Sequence, residues 1–178
     1  MPMETLKLIL ATRSYGDQVM DYKREFQAAG DSMDGTGALR RSETAEEWFA
    51  HNDSLSDPAT LPEGRVVSTQ FIAVRETDGR LVGMLQVRHY LNDSLKQFGG
   101  NIGYSVRPSE RRKGYGKEQL RQALIWCKEE LGLDRVLSTC LADNEASRKT
   151  ILAHGGVYEN TVHEPDDNED IERYWITL

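Results

Sequence analysis

Apolar positions alternate between strand-like and helix-like spacing along the chain, with no long linker between the segments. Residues 5–11 read as a short strand. Tyr15, Val19, Tyr22 and Phe26 then recur at intervals of four, three and four, the period of an amphipathic helix. Gly30 supplies its stop. Residues 31–41, with Asp34, Gly35, Thr36 and Gly37, predict a mobile loop. A second short helix starts after Ser42 or Thr44 and carries Trp48 and Phe49, and residues 55–64, with Pro58 and Pro62, form another loop.

The pattern then turns to strands. Residues 66–75 and 80–90 flank Thr77-Asp78-Gly79, and Asp-Gly between two β-rich runs predicts a hairpin. A third strand covers 101–107 and stops at Pro108, which cannot donate to a ladder. Leu120, Ala123, Leu124, Cys127 and Leu131 share one helical face, ended by Gly132. Residues 136–141 form a strand. Asp143 or Asn144 caps a helix over 145–154, ended by Gly155-Gly156. Two final strands, 157–163 and 171–178, are joined by the acidic segment 164–170, and the chain holds no internal repeat.

The chain has 178 residues, 38% of them hydrophobic, which suits the core of one domain. No run approaches the roughly 20 apolar residues of a spanning helix, so no membrane partner is expected. Net charge is −7, from 22 basic and 29 acidic side chains. That argues against nucleic acid, which needs a basic footprint, and is compatible with a cationic substrate, although the same charge also serves solubility. The start of the chain carries no basic segment followed by an apolar stretch, so a cytoplasmic protein with reduced Cys127 and Cys140 is expected. His51, His89, His154 and His163 lack metal-ligand spacing, so no metal is expected.

The segment from Val106 to Lys117, VRPSERRKGYGK, carries the chemistry. It is a strand end, a basic glycine-bearing turn and the start of a helix. The first amides of a helix have no partner within it, and the dipole places positive charge there, so such a turn suits an anion. Two nucleotide motifs fail. A P-loop needs Gly where Arg111 stands and Ser or Thr where Glu118 stands, and the dinucleotide fingerprint needs Gly where Gln119 stands. The spacing R-x-x-G-x-G over Arg111, Gly114 and Gly116 resembles the coenzyme A diphosphate loop of the GNAT superfamily of N-acetyltransferases. Val106-Arg107-Pro108 before it, the helix after it, Asn144 at the next helix start and Gly155-Gly156-Val157-Tyr158 agree with that family's order.

The resemblance implies a single acetyltransferase domain over 1–178. Residues 1–65 would hold helices and substrate loops, 66–158 the core sheet and acetyl-coenzyme A site, and 159–178 a C-terminal hairpin that could contribute to a homodimer. The fold implied is α/β (α+β): a mixed, largely antiparallel sheet of about seven strands, helices on both faces, parted between the strands at Tyr104 and Leu137. Amides of Arg112, Lys113, Gly114, Tyr115, Gly116 and Lys117, with the charge of Arg111, would hold the diphosphate. The strand edge at Tyr104 and Val106 would pair with the pantetheine arm, with a donor there polarising the thioester carbonyl. Asn144 would hydrogen-bond the same arm, or simply cap its helix.

The implied reaction is direct acetyl transfer from acetyl-coenzyme A to a primary amine of a small molecule or protein. The alternative is a coenzyme A-binding module that has lost turnover. Two departures from the family bear on this. Ile151 stands where many members place an acidic Tyr, and the strand before the loop has no counterpart of the usual glutamate base. Tyr158 and Tyr104 are the available hydroxyls, and the base is a water chain or a residue from elsewhere such as His89, His154 or His163. Asp31, Asp34 and Glu47 are the carboxylates offered for a cationic acceptor.

Overall fold

The computed structural model describes residues 5–178. The reading of the N-terminus as leaderless therefore rests mostly on residues outside those described. Seven strands form one sheet in the order β1-β2-β3-β4-β5-β7-β6. They are β1 (Leu6–Leu10), β2 (Ser68–Arg75), β3 (Leu81–Arg88), β4 (Ile102–Val106), β5 (Arg135–Leu141), β6 (Val157–Glu164) and β7 (Glu169–Thr177). Every neighbouring pair is antiparallel except β4 and β5.

Helices cover both faces. α1 (Gly16–Ala29) and α2 (Ala45–Ser56) bury Val19, Tyr22, Phe26, Trp48 and Phe49 against Ile72, Leu81 and Met84 on one face. α3 (Tyr115–Leu131) and α4 (Glu145–Ala153) bury Leu120, Ala123, Cys127 and Ile151 against Leu85, Ile102, Val136 and Tyr174 on the other. Being covered on both sides, β3 is buried along nearly its whole length. Burial pushes the Cys127 thiol up to about 12 and the Cys140 thiol up to about 11, so neither is a thiolate near neutral pH.

Several local expectations shift. The loop over 31–41 is not a free flap. Thr36, Ala38 and Leu39 are buried. The Trp48 Nε1–H donates to Thr36 O at 2.7 Å and the Gln70 amide to Gly35 O at 2.8 Å. The glycines serve close packing here, not mobility. α2 runs one residue beyond Leu55, where a loop was expected to begin. A π-helical turn, Leu95–Gly99, fills a stretch for which the spacing predicts no element. It starts where Asn92 Oδ1 accepts from Leu95 N, and ends at Gly100 with a positive φ of 69°. The acidic segment 164–170 is a tight four-residue turn, 165–168, between strand ends: Glu164 accepts from the Asp166 and Asp167 amides, so β6 and β7 pair to their tips.

β4 and β5 share a single register pair, Ile102 with Ser138. Beyond it the two parallel strands diverge, which agrees with the split implied by the family resemblance.

Candidate functional site

The gap between β4 and β5 opens beside the start of α3. Arg107 N donates to Val82 O, and Arg88 N donates to Asn101 O. Ladder groups alternate along an antiparallel strand, so the N–H and C=O of Tyr104 and Val106 point away from β3, into the gap. Val106 O takes a bond from Arg111 Nε at 3.2 Å. A Cβ added to Gly116 would lie 3.5 Å from Val106 Cγ2 and 3.8 Å from Tyr104 Cε2, so the first turn of α3 rests on the same stretch of β4. Exposed main chain and a helix N-terminus thus meet in one place.

Helix starts differ in how they are satisfied. Thr44 caps α2 and Asn144 caps α4, each accepting a backbone amide three residues on. α3 begins on Gly114, left-handed at φ 84°, with no side-chain cap. Its first amide to find an acceptor within the helix is that of Glu118, bonded to Gly114 O. The turn before it is also left-handed at Arg112, φ 63°, an uncommon conformation for a residue with a Cβ. Uncapped amides, two left-handed residues and the dipole of a 17-residue helix favour an anion here.

The basic side chains of this turn divide into two sets. Arg111 pairs with Asp31 at 2.7 Å and lies over the Phe26 ring. Lys113 pairs at 2.7 Å with Glu110, which is buried and also holds Arg75 and Arg80 at 2.9 Å each. Arg112 and Lys117 are exposed and make no ion pair among the described residues. The Tyr115 side chain lies in the core with Leu6, Ala73 and Val82, so only its backbone faces the turn.

Glu110 anchors the turn and should give it a pH dependence. Burial alone would raise its pKa, but Lys113 and Arg75 outweigh burial and hold it below the usual 4.5. A depressed carboxylate stabilises the fold above its unfolded pKa and loses that contribution as pH falls through its folded one. Urea melts taken from about pH 6 down to about pH 3 are expected to lose stability below about 4.5. In Glu110→Gln the stability at neutral pH should drop and this part of the acid slope should flatten. An unchanged slope would refute the anchor role.

The expected catalytic tyrosines occupy different settings. Tyr104 is half-buried, and its hydroxyl lies 3.2 Å from Ser147 Oγ on α4, across the gap. Burial raises its pKa, and the hydroxyl of Ser147 only partly offsets this, so it stays a protonated donor. Tyr158 is not a core aromatic: it is 52% exposed on the edge strand β6, bonded to Thr161 at 2.7 Å. Ile151 is fully buried, so this position presents an aliphatic chain to the core.

On the α1/α2 face a cavity of about 330 Å³ lies between the 33–37 segment, the end of α2 and the end of β3. Gly35 forms its inner wall: a Cβ there would fall 2.4 Å from Gly103 O and 2.6 Å from Tyr104 Cα. Of the three expected substrate carboxylates, Asp34 lines this cavity. Asp31 is held by Arg111, and Glu47 accepts from the Glu43 amide in the capping box of α2. His89 contacts Thr69, His154 its own helix and His163 Asp170. The histidine that lines the cavity is His51, whose pKa is lowered by burial and by the charges of Arg65 and Arg41. Sequence reading passed over Gln86, Arg41, Arg65 and Arg88. One signal was available: Gln86 and Arg88 continue the face of Met84 in an otherwise apolar strand.

No curated protein matches the sequence. Among solved structures, the fold matches Mycobacterium smegmatis RimJ in complex with CoA-disulfide (TM-score 0.75, 20% identity, 99% of this chain and 84% of that one). It matches RimL, a ribosomal L7/L12 α-N-protein acetyltransferase in complex with coenzyme A (TM-score 0.74, 16% identity, 99% and 97%). It also matches a spermidine N-acetyltransferase SpeG chimera from Vibrio cholerae and hSSAT (TM-score 0.66, 15% identity, 97% and 94%). The model of the acetyltransferase (GNAT) domain matches residues 12–157, and the chain belongs to that family of acetyltransferases.

Proposed function

We propose that the protein transfers the acetyl group of acetyl-coenzyme A directly to a primary amine of a small molecule or protein. The observation that carries this reading is the uncapped start of α3 set against the unpaired edge of β4. Amides at 115–117, with Arg112 and Lys117, receive the diphosphate. The gap-facing main chain of Tyr104 and Val106 takes the pantetheine arm, and Asn144 retains its Nδ2 donors for it while Oδ1 caps α4. Acetyl-coenzyme A supplies an acyl group activated as a thioester. The amine nitrogen bonds to the acetyl carbon as the C–S bond breaks; one proton leaves the nitrogen for solvent, and one is available to the departing thiolate. A thiol pKa of about 8.5 makes that thiolate a workable leaving group, so the reaction does not depend on a strong acid. The Tyr104 hydroxyl, kept protonated beside the gap, is the donor we assign to it. Holding both reactants in one cleft supplies much of the rate.

Both RimJ and RimL were captured with coenzyme A or its disulfide, which supports this cosubstrate. The buried free thiols Cys127 and Cys140 suit a cytoplasmic enzyme. One observation favours the second reading, a coenzyme A-binding module without turnover: the buried aliphatic Ile151 where many members carry an acidic Tyr. Coenzyme A release against a panel of amines, run beside thermal shift with acetyl-coenzyme A, decides between them. Turnover with any amine supports the enzyme, and a thermal shift with no release for any amine would establish the second reading.

A further inference from the structure

The cavity beside β4 is lined by three arginines, Arg41, Arg65 and Arg88, against one carboxylate, Asp34. The chain carries more acidic than basic side chains, 29 against 22, and most of its other arginines are paired. These three make no ion pair among the described residues. Arg88 donates to neutral oxygens, Gln86 Oε1 and Gly99 O at 3.2 Å and Gly100 O at 3.5 Å. It lies deep: both of its terminal nitrogens sit 3.3 Å from the point a Cβ on Gly103 would occupy. The next residue of β4 is Tyr104, whose main chain opens on the gap. Burial pushes the Arg88 guanidinium down to about 10, with Asp34 acting weakly against it. Arg41 and Arg65 converge on the same space, since both charges act on His51.

A desolvated guanidinium without a counter-ion is set to take one from a ligand, and its fork matches the two oxygens of a carboxylate. We propose that the acceptor amine also carries a carboxylate, received by Arg88 at the floor of the cavity and by Arg41 and Arg65 at its mouth. This rests on the acetyl-transfer reading and narrows it. An amino acid or an acidic peptide has the required chemistry, and a polyamine brings cations towards three like charges.

The test compares kcat/KM for glycine, β-alanine, aspartate and an acidic dipeptide with their carboxamides, with phosphoethanolamine and with spermidine. Amidation is expected to lower kcat/KM by about tenfold to a hundredfold, the range for losing a charged hydrogen bond. Arg88→Gln should erase that difference, chiefly by raising KM for the carboxylates. Arg65→Gln, at an exposed position that cannot compromise the core, should raise KM for the carboxylates a few-fold. Equal or better turnover of the carboxamides, phosphoethanolamine or spermidine overturns the inference and leaves acetyl transfer standing. Calorimetry of the N-acetylated acids against their amides, with coenzyme A present, gives a readout free of turnover. If those acids bind no better than their amides, the inference fails even in a protein that performs no transfer.

Discussion

Gly114→Val is expected to abolish coenzyme A binding while leaving the protein folded. Gly114 holds the left-handed conformation that turns the chain into α3, at φ 84°. A β-branched residue there costs about 1–3 kcal/mol of backbone strain. The position is exposed and outside the core, so the penalty falls on the turn and not on the packing. Relieving the strain is expected to swing the neighbouring amides away from a common focus. Affinity should fall by at least about a hundredfold, because several charge-assisted hydrogen bonds are lost together. Calorimetry with coenzyme A reads the loss, and circular dichroism melting reads the fold. Wild-type affinity in the variant would end the assignment of the turn, and with it the case for the cosubstrate.

Gly35→Ala should be the most damaging single-methyl change on the other side of the sheet. The new Cβ would overlap backbone, Gly103 O and Tyr104 Cα, and backbone cannot rotate out of the way. The φ of 71° adds strain of its own. The segment must lift from β4, losing the bonds to Gly35 O and Thr36 O from Gln70 and Trp48. Overpacking, a left-handed residue and one or two lost hydrogen bonds together come to about 3 kcal/mol or more. Denaturant melts measure this directly. Any folded fraction should show a raised KM for the amine and a smaller change for acetyl-coenzyme A, since the disturbed wall faces the cavity proposed to receive the acceptor. A stability within about 0.5 kcal/mol of wild type would mean that the segment does not pack as described.

Much of the architecture could be read from periodicity. The Asp78-Gly79 turn, the apolar stripe of α3 and the glycine stops at Gly30 and Gly132 are local signals, and each lies where its residues indicate. The split between β4 and β5 followed from resemblance, because nothing in either strand states how far it pairs with the other. Ion pairs between distant segments left no trace in the sequence. Arg111 and Asp31 are 80 positions apart, and the fold pairs an expected phosphate ligand with an expected substrate carboxylate. The same holds for the cavity proposed to receive the acceptor, whose arginines come from three separate segments. A basic residue in a loop reads as solvated until the fold brings others beside it. Arg88 differs in standing on a strand, where it continues the face of the buried Met84 and Gln86.

The single rung joining β4 to β5 has a mechanical consequence. Strands β1–β4 and strands β5–β7 are two plates whose shared edge is almost unstitched, and side chains beneath α3, not ladder bonds, keep them in register. Relative shear of the plates is therefore expected to be a soft deformation of this molecule, resisted at one end by the bonds of Asn101 with Leu137. A molecule lodged between them laces the seam, so amide hydrogen exchange along the far strands β6 and β7, remote from any contact with it, should slow as well.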